Sequence, residues 1–250
     1  MTLKGNFDKV DVLAIGAHPD DIELSCGGTI AKLTDEGKSV AIVDCTRGES
    51  GTRGTPEIRL DEAKKAAEIL GVKYRVNLGM EDGNIEVNKK NILEIIKTIR
   101  IFRPSAVLFH PPYERHPDHE AVHKLVRTGM FKSGLRKIVT EYNGIQLEPH
   151  RIRKMFCYMQ SYTFPNNPDF YVDVSSTHEK KMGAIKAYTS QVFVEGVSRT
   201  DEPVTRLSRP EFIDELEARA LYFGSLIGVK YAEVFSSVEP IGLRSLSVLL

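Results

Sequence analysis

Short apolar runs that end in polar residues, with helical stretches between them, constrain this chain more than any other property. Residues 11–17, 39–46 and 105–110 are brief and apolar, and residues 74–78 form a weaker run of the same kind. Bounded by Gly or Pro and rich in Val, Ile and Leu, such runs read as strands buried on both faces. Residues 57–70 carry Leu60, Ala63, Ala67 and Leu70 at helical spacing, after Pro56 at a favourable first helical position. Residues 88–102 place Ile92, Ile95, Ile96 and Ile99 on one face and end before Pro104. A short helix over residues 30–33 stops near Gly37, and Pro117 opens another through Lys132. This alternation predicts an α/β chain with a parallel sheet and right-handed crossovers.

In the doubly wound strand order 3-2-1-4 the first and fourth strands are neighbours. Ligands bind outside their carboxyl ends, where the chain reverses direction. Ala17-His18-Pro19-Asp20-Asp21-Ile22-Glu23 follows the first strand, and Arg115-His116-Pro117-Asp118-His119 follows the fourth. Topology therefore brings the two clusters together. Carboxylates at the mouth of a buried strand are costly to desolvate without a positive partner, and a metal ion is the simplest one. We assign His18, Asp21 and His119 to a single divalent ion, zinc first, because hydrolytic zinc sites take three such ligands and leave room for water. Iron, cobalt or manganese would suit the same donors. Asp20, beside the ligands, is suited to take a proton from water. His116 would stabilise an oxyanion or protonate a leaving group, with Asp118 holding its orientation. His123, one turn beyond His119, is the alternative ligand. His110 reads as a hydrogen-bonded wall, His150 and His178 as surface residues. The competing reading of Asp20-Asp21 is a plain helix cap.

The Gly-rich loop 47–54 leaves the second strand beside the first, so Glu49, Arg53 and Arg59 are expected to rim the same pocket and bind a hydroxyl-rich or anionic substrate. Neither this loop nor Gly27-Gly28 matches a phosphate cradle. Lys+Arg and Asp+Glu both number 34, which argues against a nucleic-acid or membrane-surface binder. No run approaches the ~18 apolar residues of a membrane span. Cys26, Cys45 and Cys157 form no C-x-x-C pair, as expected of free thiols in a reducing, cytoplasmic setting. In the second half, residues 155–160, 170–174 and 231–236 read as strands, and 177–190 and 210–227 as helices. Residues 192–208 read as a loop long enough to cover a site. No linker divides residues 1–250, which read as one domain.

The two His/Asp motifs, in this order and about a hundred residues apart, resemble the LmbE-like / PIG-L family of zinc-dependent de-N-acetylases. Thr46-Arg47-Gly48-Glu49, Gly51-Thr52-Arg53-Gly54, Glu57-Ile58-Arg59, residues 133–137 and Ala184-Ile185-Lys186-Ala187-Tyr188 look like its bacillithiol-biosynthesis branch. The resemblance implies a Rossmann-like three-layer α/β/α fold with the active site at the carboxyl ends of the strands. It implies one Zn2+ per chain on His18, Asp21 and His119, Asp20 as general base, His116 on the oxyanion side with Asp118 behind it, and Arg59 on the substrate. The implied reaction is deacetylation of an N-acetylglucosamine conjugate, N-acetylglucosaminyl malate in that branch, by a homo-oligomer, often a hexamer. Residues 192–196, Val-Phe-Val-Glu-Gly, depart from the polar, tyrosine-bearing segment expected there, which keeps another acetamido sugar such as diacetylchitobiose open. A metal-dependent phosphoesterase and a non-catalytic metal- or sugar-binding module are the rival readings.

Overall fold

The computed structural model describes residues 7–198, 201–243, 245 and 247. Each apolar run becomes a strand: β1 (Val12–Gly16), β2 (Val40–Asp44), β3 (Tyr74–Asn77) and β4 (Ala106–Phe109). The helices between and after them are α1 (Asp21–Asp35), α2 (Pro56–Ile69), α3 (Lys89–Phe102) and α4 (Pro117–Ser133). Their ends carry ordinary signals. Thr55 accepts from the Ile58 amide at the start of α2, and Asn88 from the Asn91 amide at the start of α3. Arg103 takes a left-handed conformation, φ 46°, to end α3 where Pro104 forbids another helical residue.

Because side chains alternate across a strand, the central strands feed two cores. Leu13, Ile15, Val43, Val107 and Phe109 pack with α3 and α4 on one face. Ala14, Ile42 and Leu108 pack with α1 and α2 on the other. The outcome is a three-layer α/β/α arrangement, as the family resemblance implies. Gly129 lets α4 approach α3 closely, since a Cβ there would lie 2.4 Å from Ile95 Cγ2.

The remaining elements are β5 (Glu141–Tyr142), β6 (Ile145–Gln146), β7 (Lys154–Tyr158), β8 (Phe170–Asp173), α5 (His178–Lys186), α6 (Glu211–Leu226) and β9 (Ala232–Ser237). The sheet runs β3-β2-β1-β4-β7-β9-β8, with β9 antiparallel to both neighbours. β5 and β6 make a separate hairpin around Asn143-Gly144, both at positive φ, the requirement of a tight two-residue turn. Cys26, Cys45 and Cys157 are buried free thiols. Among the described residues no helix is long and apolar enough to cross a membrane.

One helix departs from expectation. α1 begins at Asp21, inside the His/Asp motif, and runs through Gly27-Gly28 with a kink at Cys26, φ −135°. Glu233 on β9 makes the kink tolerable. Its carboxylate accepts from the Gly28 amide at 2.9 Å, the Thr29 amide at 2.7 Å and the Thr29 hydroxyl at 2.6 Å, and it pairs with buried Lys181 of α5 at 2.7 Å. Gly28 is required by contact: a Cβ would meet Val174 Cβ at 2.8 Å. These glycines, which read in sequence as a break before a helix, are where the helix presses on its neighbours.

Candidate active site

At the carboxyl end of β1 the chain turns through His18-Pro19-Asp20 into α1. Asp20 sits at φ 111°, a region that side-chain-bearing residues rarely adopt and that costs on the order of 1–3 kcal/mol. The turn lets Asp21 fold back on the strand, where Oδ2 accepts from the Ala17 amide at 2.9 Å and the His18 amide at 2.8 Å. Asp21 is thereby fixed before any ligand arrives.

The second cluster meets it. His119 Nε2 lies 3.3 Å from Asp21 Oδ1, and His18 Nδ1 lies 3.5 Å from Asp21 Oδ2. His18, Asp21 and His119 are all buried, with donor atoms within 4.8 Å of one another, a spacing that can hold a metal ion. An overlapping group, His18, His116 and Asp118, meets the same criterion. The electrostatics fit a cation. Asp20, Asp21, Asp82 and Asp118 are all buried or nearly so around the imidazoles, and the Arg59 guanidinium pairs with Asp20. Buried His119 Nδ1 also has no hydrogen-bond partner in the structure.

His18 turns its other nitrogen outward, Nε2 lying 2.9 Å from Asp82 Oδ1 and 3.3 Å from Asp118 Oδ2. Burial opposes a charge on His18, but hydrogen bonds to Asp118, Asp21 and Asp82 outweigh it and hold the imidazole well above its ordinary pKa. Burial likewise opposes the Asp21 carboxylate, but His119 and His110 hold it well below the usual range. A carboxylate–histidine pair of this kind fixes the orientation of a ligating ring.

Asp118 therefore corrects one expectation. Its carboxylate does not back His116. It accepts from the Gly83 and Ile85 amides at 2.8 and 3.2 Å and faces His18. Only its backbone amide reaches His116, donating to Nδ1 at 3.2 Å. With Nδ1 accepting, neutral His116 carries its proton on Nε2. Burial, reinforced by His18 and His119, pushes the His116 pKa down and favours that neutral form.

Asp20 lines the same pocket. Burial pushes it up to about 7, although Arg59 Nη2 lies 3.0 Å from its Oδ2 and pulls the other way. Arg59 also donates to the Pro19 and Gly48 carbonyls. The cavity, about 390 Å³, has His18, Asp20, Asp21, His116 and His119 among its lining residues. Leu24, Leu207, Phe212 and Leu216 add apolar wall, and Arg59, Arg115, Arg206 and Arg219 add positive charge.

Glu49 and Arg53 are not in that lining. Glu49 accepts from the Asp82 amide at 3.2 Å, so it steadies the turn that supports His18. Arg53 is spent on the loop beyond α5: it pairs with Glu202 at 2.9 Å and donates to the Ser190 and Pro203 carbonyls. Compact polar packing consumed both side chains. Loop 192–208 does reach the cavity, through Arg206 and Leu207, although Arg199 and Thr200 lie outside the described residues.

His123 does not join the cluster, because Nδ1 faces the His110 carbonyl at 2.9 Å and its ring stacks on Phe109. His110 is fully buried 3.2 Å from Asp21 Oδ2, and burial pushes its pKa down to about 3. His178 is buried against the Tyr231 ring, centroids 3.7 Å apart, not on the surface, and half-buried His150 contacts the Pro104 carbonyl.

Sequence reasoning missed Asp82 and Gln160. Asp82 was legible only as a turn. Gln160 donates to Asp21 Oδ1 at 2.6 Å and leaves its own Oε1 buried without a partner. Both follow the carboxyl ends of sheet strands, β3 and β7. The switch-point rule extended to every parallel strand would have flagged them.

The family model described as PIG-L, GlcNAc-PI de-N-acetylase, matches residues 13–130, which include both motifs. Diacetylchitobiose deacetylase of Thermococcus kodakarensis is 35% identical over 95% of this chain and 86% of its own length. A probable N-acetyl-alpha-D-glucosaminyl L-malate deacetylase 2 of Bacillus cereus is 35% identical over 46% of this chain and 58% of its own. The crystal structure of the conserved protein TT1542 from Thermus thermophilus superposes with a TM-score of 0.82 at 35% identity, over 94% of this chain and 97% of that one. With the paired motifs at one sheet end and a relative that matches along nearly the whole length, the chain belongs to the PIG-L/LmbE-like deacetylase family.

Proposed function

We propose that this chain hydrolyses the acetamide of an N-acetylglucosamine conjugate, releasing acetate and the free amino sugar. The observation that carries the reading is the meeting of His18, Asp21 and His119, three donors that can grip one cation, with the Asp20 carboxyl and His116 in the same cavity. His18, Asp21 and His119 would hold the ion, zinc being the natural choice for this donor set. A divalent ion there supplies Lewis acidity, polarising a carbonyl and acidifying water.

The protein's own groups do the rest. Asp20 accepts the proton of the attacking water, with Arg59 holding its carboxylate in place. His116 donates from Nε2 to the oxygen of the tetrahedral adduct. Asp20 then delivers the proton it took from water to the departing amine, so that the amine leaves neutral, while His116 keeps its single Nε2 proton as a hydrogen-bond donor. Asp82 and Asp118 keep His18 aimed, and Gln160 does the same for Asp21.

The relative that matches along nearly all of this chain deacetylates diacetylchitobiose, which supports a β-linked acetamido disaccharide as substrate. The second reading, N-acetylglucosaminyl malate, draws support from Arg115 and Arg206 in the cavity wall, whose charges suit a dicarboxylate, and from the shorter Bacillus match. The experiment is an assay of amine and acetate release from both substrates, with and without chelator. Release from either, abolished by chelator, is expected. In Asp20→Asn the bound metal should stay while turnover falls by about a hundredfold or more. No release from any acetamido sugar sinks the reading.

A further inference from the structure

Close in the chain to two residues of the cavity wall, though not themselves in that wall, stands an aromatic pair that the reaction above does not use: Tyr113 lies two residues before Arg115 and Tyr162 directly after Ser161. Tyr113 follows β4 and Tyr162 follows β7, and their rings stack with centroids 5.4 Å apart at 27°. Tyr113 is 63% exposed and Tyr162 40% exposed. Two large aromatic rings stacked together and left open to solvent, beside residues that line a cavity, call for an explanation, since burying them would be favourable.

The pair is held in place from below. Glu114, itself 4% exposed, accepts from the Arg115 amide at 2.6 Å and from the Ser161 and Tyr162 amides at 2.8 and 3.3 Å. One buried carboxylate thus clasps the loop after β4 to the loop after β7 and sets the two tyrosines ring against ring. The clasp also ties them to the cavity. Arg115 and Ser161, each next to a clasped or stacked residue, both line it. A pyranose ring has an apolar face of axial C–H groups and an equatorial rim of hydroxyls. A flat aromatic surface with a phenol hydroxyl and a guanidinium nearby complements both. A short dicarboxylate offers no such face.

We propose that Tyr113 and Tyr162 form a stacking platform for a second pyranose of the substrate, the ring joined to the N-acetylglucosamine unit whose acetamide sits over the His/Asp cluster. This rests on the deacetylase reading and narrows its substrate class to a saccharide of two or more rings. Arg115 then hydrogen-bonds the hydroxyls of the platform-bound ring.

The test measures kcat/KM for N-acetylglucosamine and for N,N'-diacetylchitobiose in the intact protein and in Tyr113→Ala, Tyr162→Ala and Tyr162→Phe. The expected result is a fall of about tenfold in the disaccharide-over-monosaccharide ratio in each Ala variant, carried by KM, with most of the ratio kept in Tyr162→Phe. An unchanged ratio in both Ala variants overturns the platform, as does an equal loss on both sugars, which would mark a structural role. Failure of the underlying reading is read separately. If no acetate is released from any sugar, calorimetric binding of diacetylchitobiose decides, supporting the platform where Tyr113→Ala weakens it about tenfold and refuting it where binding is absent or unchanged. Sedimentation of wild type and Tyr113→Ala adds a last check. A variant that dissociates a multimer while keeping the sugar ratio makes the pair a subunit contact and ends the proposal.

Discussion

The buried pair Glu233–Lys181 supports the kinked helix that carries the active-site turn, and its removal has a calculable cost. Both residues are 4% exposed. In Glu233→Ala the Lys181 ammonium loses its partner in a dry environment, a change worth about 3–5 kcal/mol. The Gly28 and Thr29 amides lose their acceptor as well, and each orphaned buried donor costs about 1–3 kcal/mol unless water enters. The low end of these ranges, about 5 kcal/mol, is already a large share of the roughly 5–15 kcal/mol that stabilises a folded chain. At about 2–4 °C per kcal/mol for a protein of this size, the melting temperature should fall by roughly 10–20 °C. Lys181→Met should cost less, about 2 kcal/mol, because Glu233 keeps three hydrogen-bond donors. The decisive measurement is the double variant Glu233→Ala/Lys181→Met, unfolded in urea beside both single variants. Its loss should be smaller than the sum of the single losses by about 2 kcal/mol or more, the coupling of a dry ion pair. Strict additivity would refute the reasoning, since it would mean that each charge is independently solvated.

Other consequences are testable at the site and in the core. Asp82→Asn leaves His18 with a weaker outer partner and should lower metal affinity about 10–100-fold in a chelator competition, while His123→Asn, outside the cluster, should leave that affinity unchanged. The three thiols should resist a disulfide reagent at pH 8 in the native protein and react fully in denaturant, because burial pushes Cys157 up to about 12 and raises Cys26 and Cys45 as well. The same shifts predict a pH effect. Between about pH 9 and pH 12 the unfolded chain releases thiol protons that the folded chain keeps, so stability falls as pH rises through that window. Replacing Cys157 by Ser should flatten part of that slope in urea titrations.

Much of this architecture could be read from letters because β1, β2 and β4 are buried on both faces and so appear as unbroken apolar runs. Once they are strands, right-handed crossovers place His18 and His119 at one end of the sheet. The order of β7, β9 and β8 was not legible. It depends on long connections through α5 and α6 that carry no periodic signal for strand neighbours. The start of α1 was hidden because Gly27-Gly28 mimics a break, and only Glu233, more than two hundred residues away, explains why the helix continues. Glu49 and Arg53 were expected at the substrate because charged residues in a Gly-rich loop suggest a ligand. In the fold Glu49 holds the Asp82 turn and Arg53 holds the Pro203 segment. Asp82 and Gln160 escaped because one polar residue after a strand makes no pattern.

The backbone at Asp20 sets stability against chemistry at a single position. A glycine would relax into φ 111° without strain but would leave the buried Arg59 guanidinium without its carboxylate, so strain and ion pair pull in opposite directions at this residue. A laboratory selection for heat resistance that is blind to turnover should therefore admit Asp20→Gly only together with an uncharged residue at position 59, yielding a protein that has forgotten its reaction. A selection that also demands product should return aspartate there and seek its gains elsewhere in the chain.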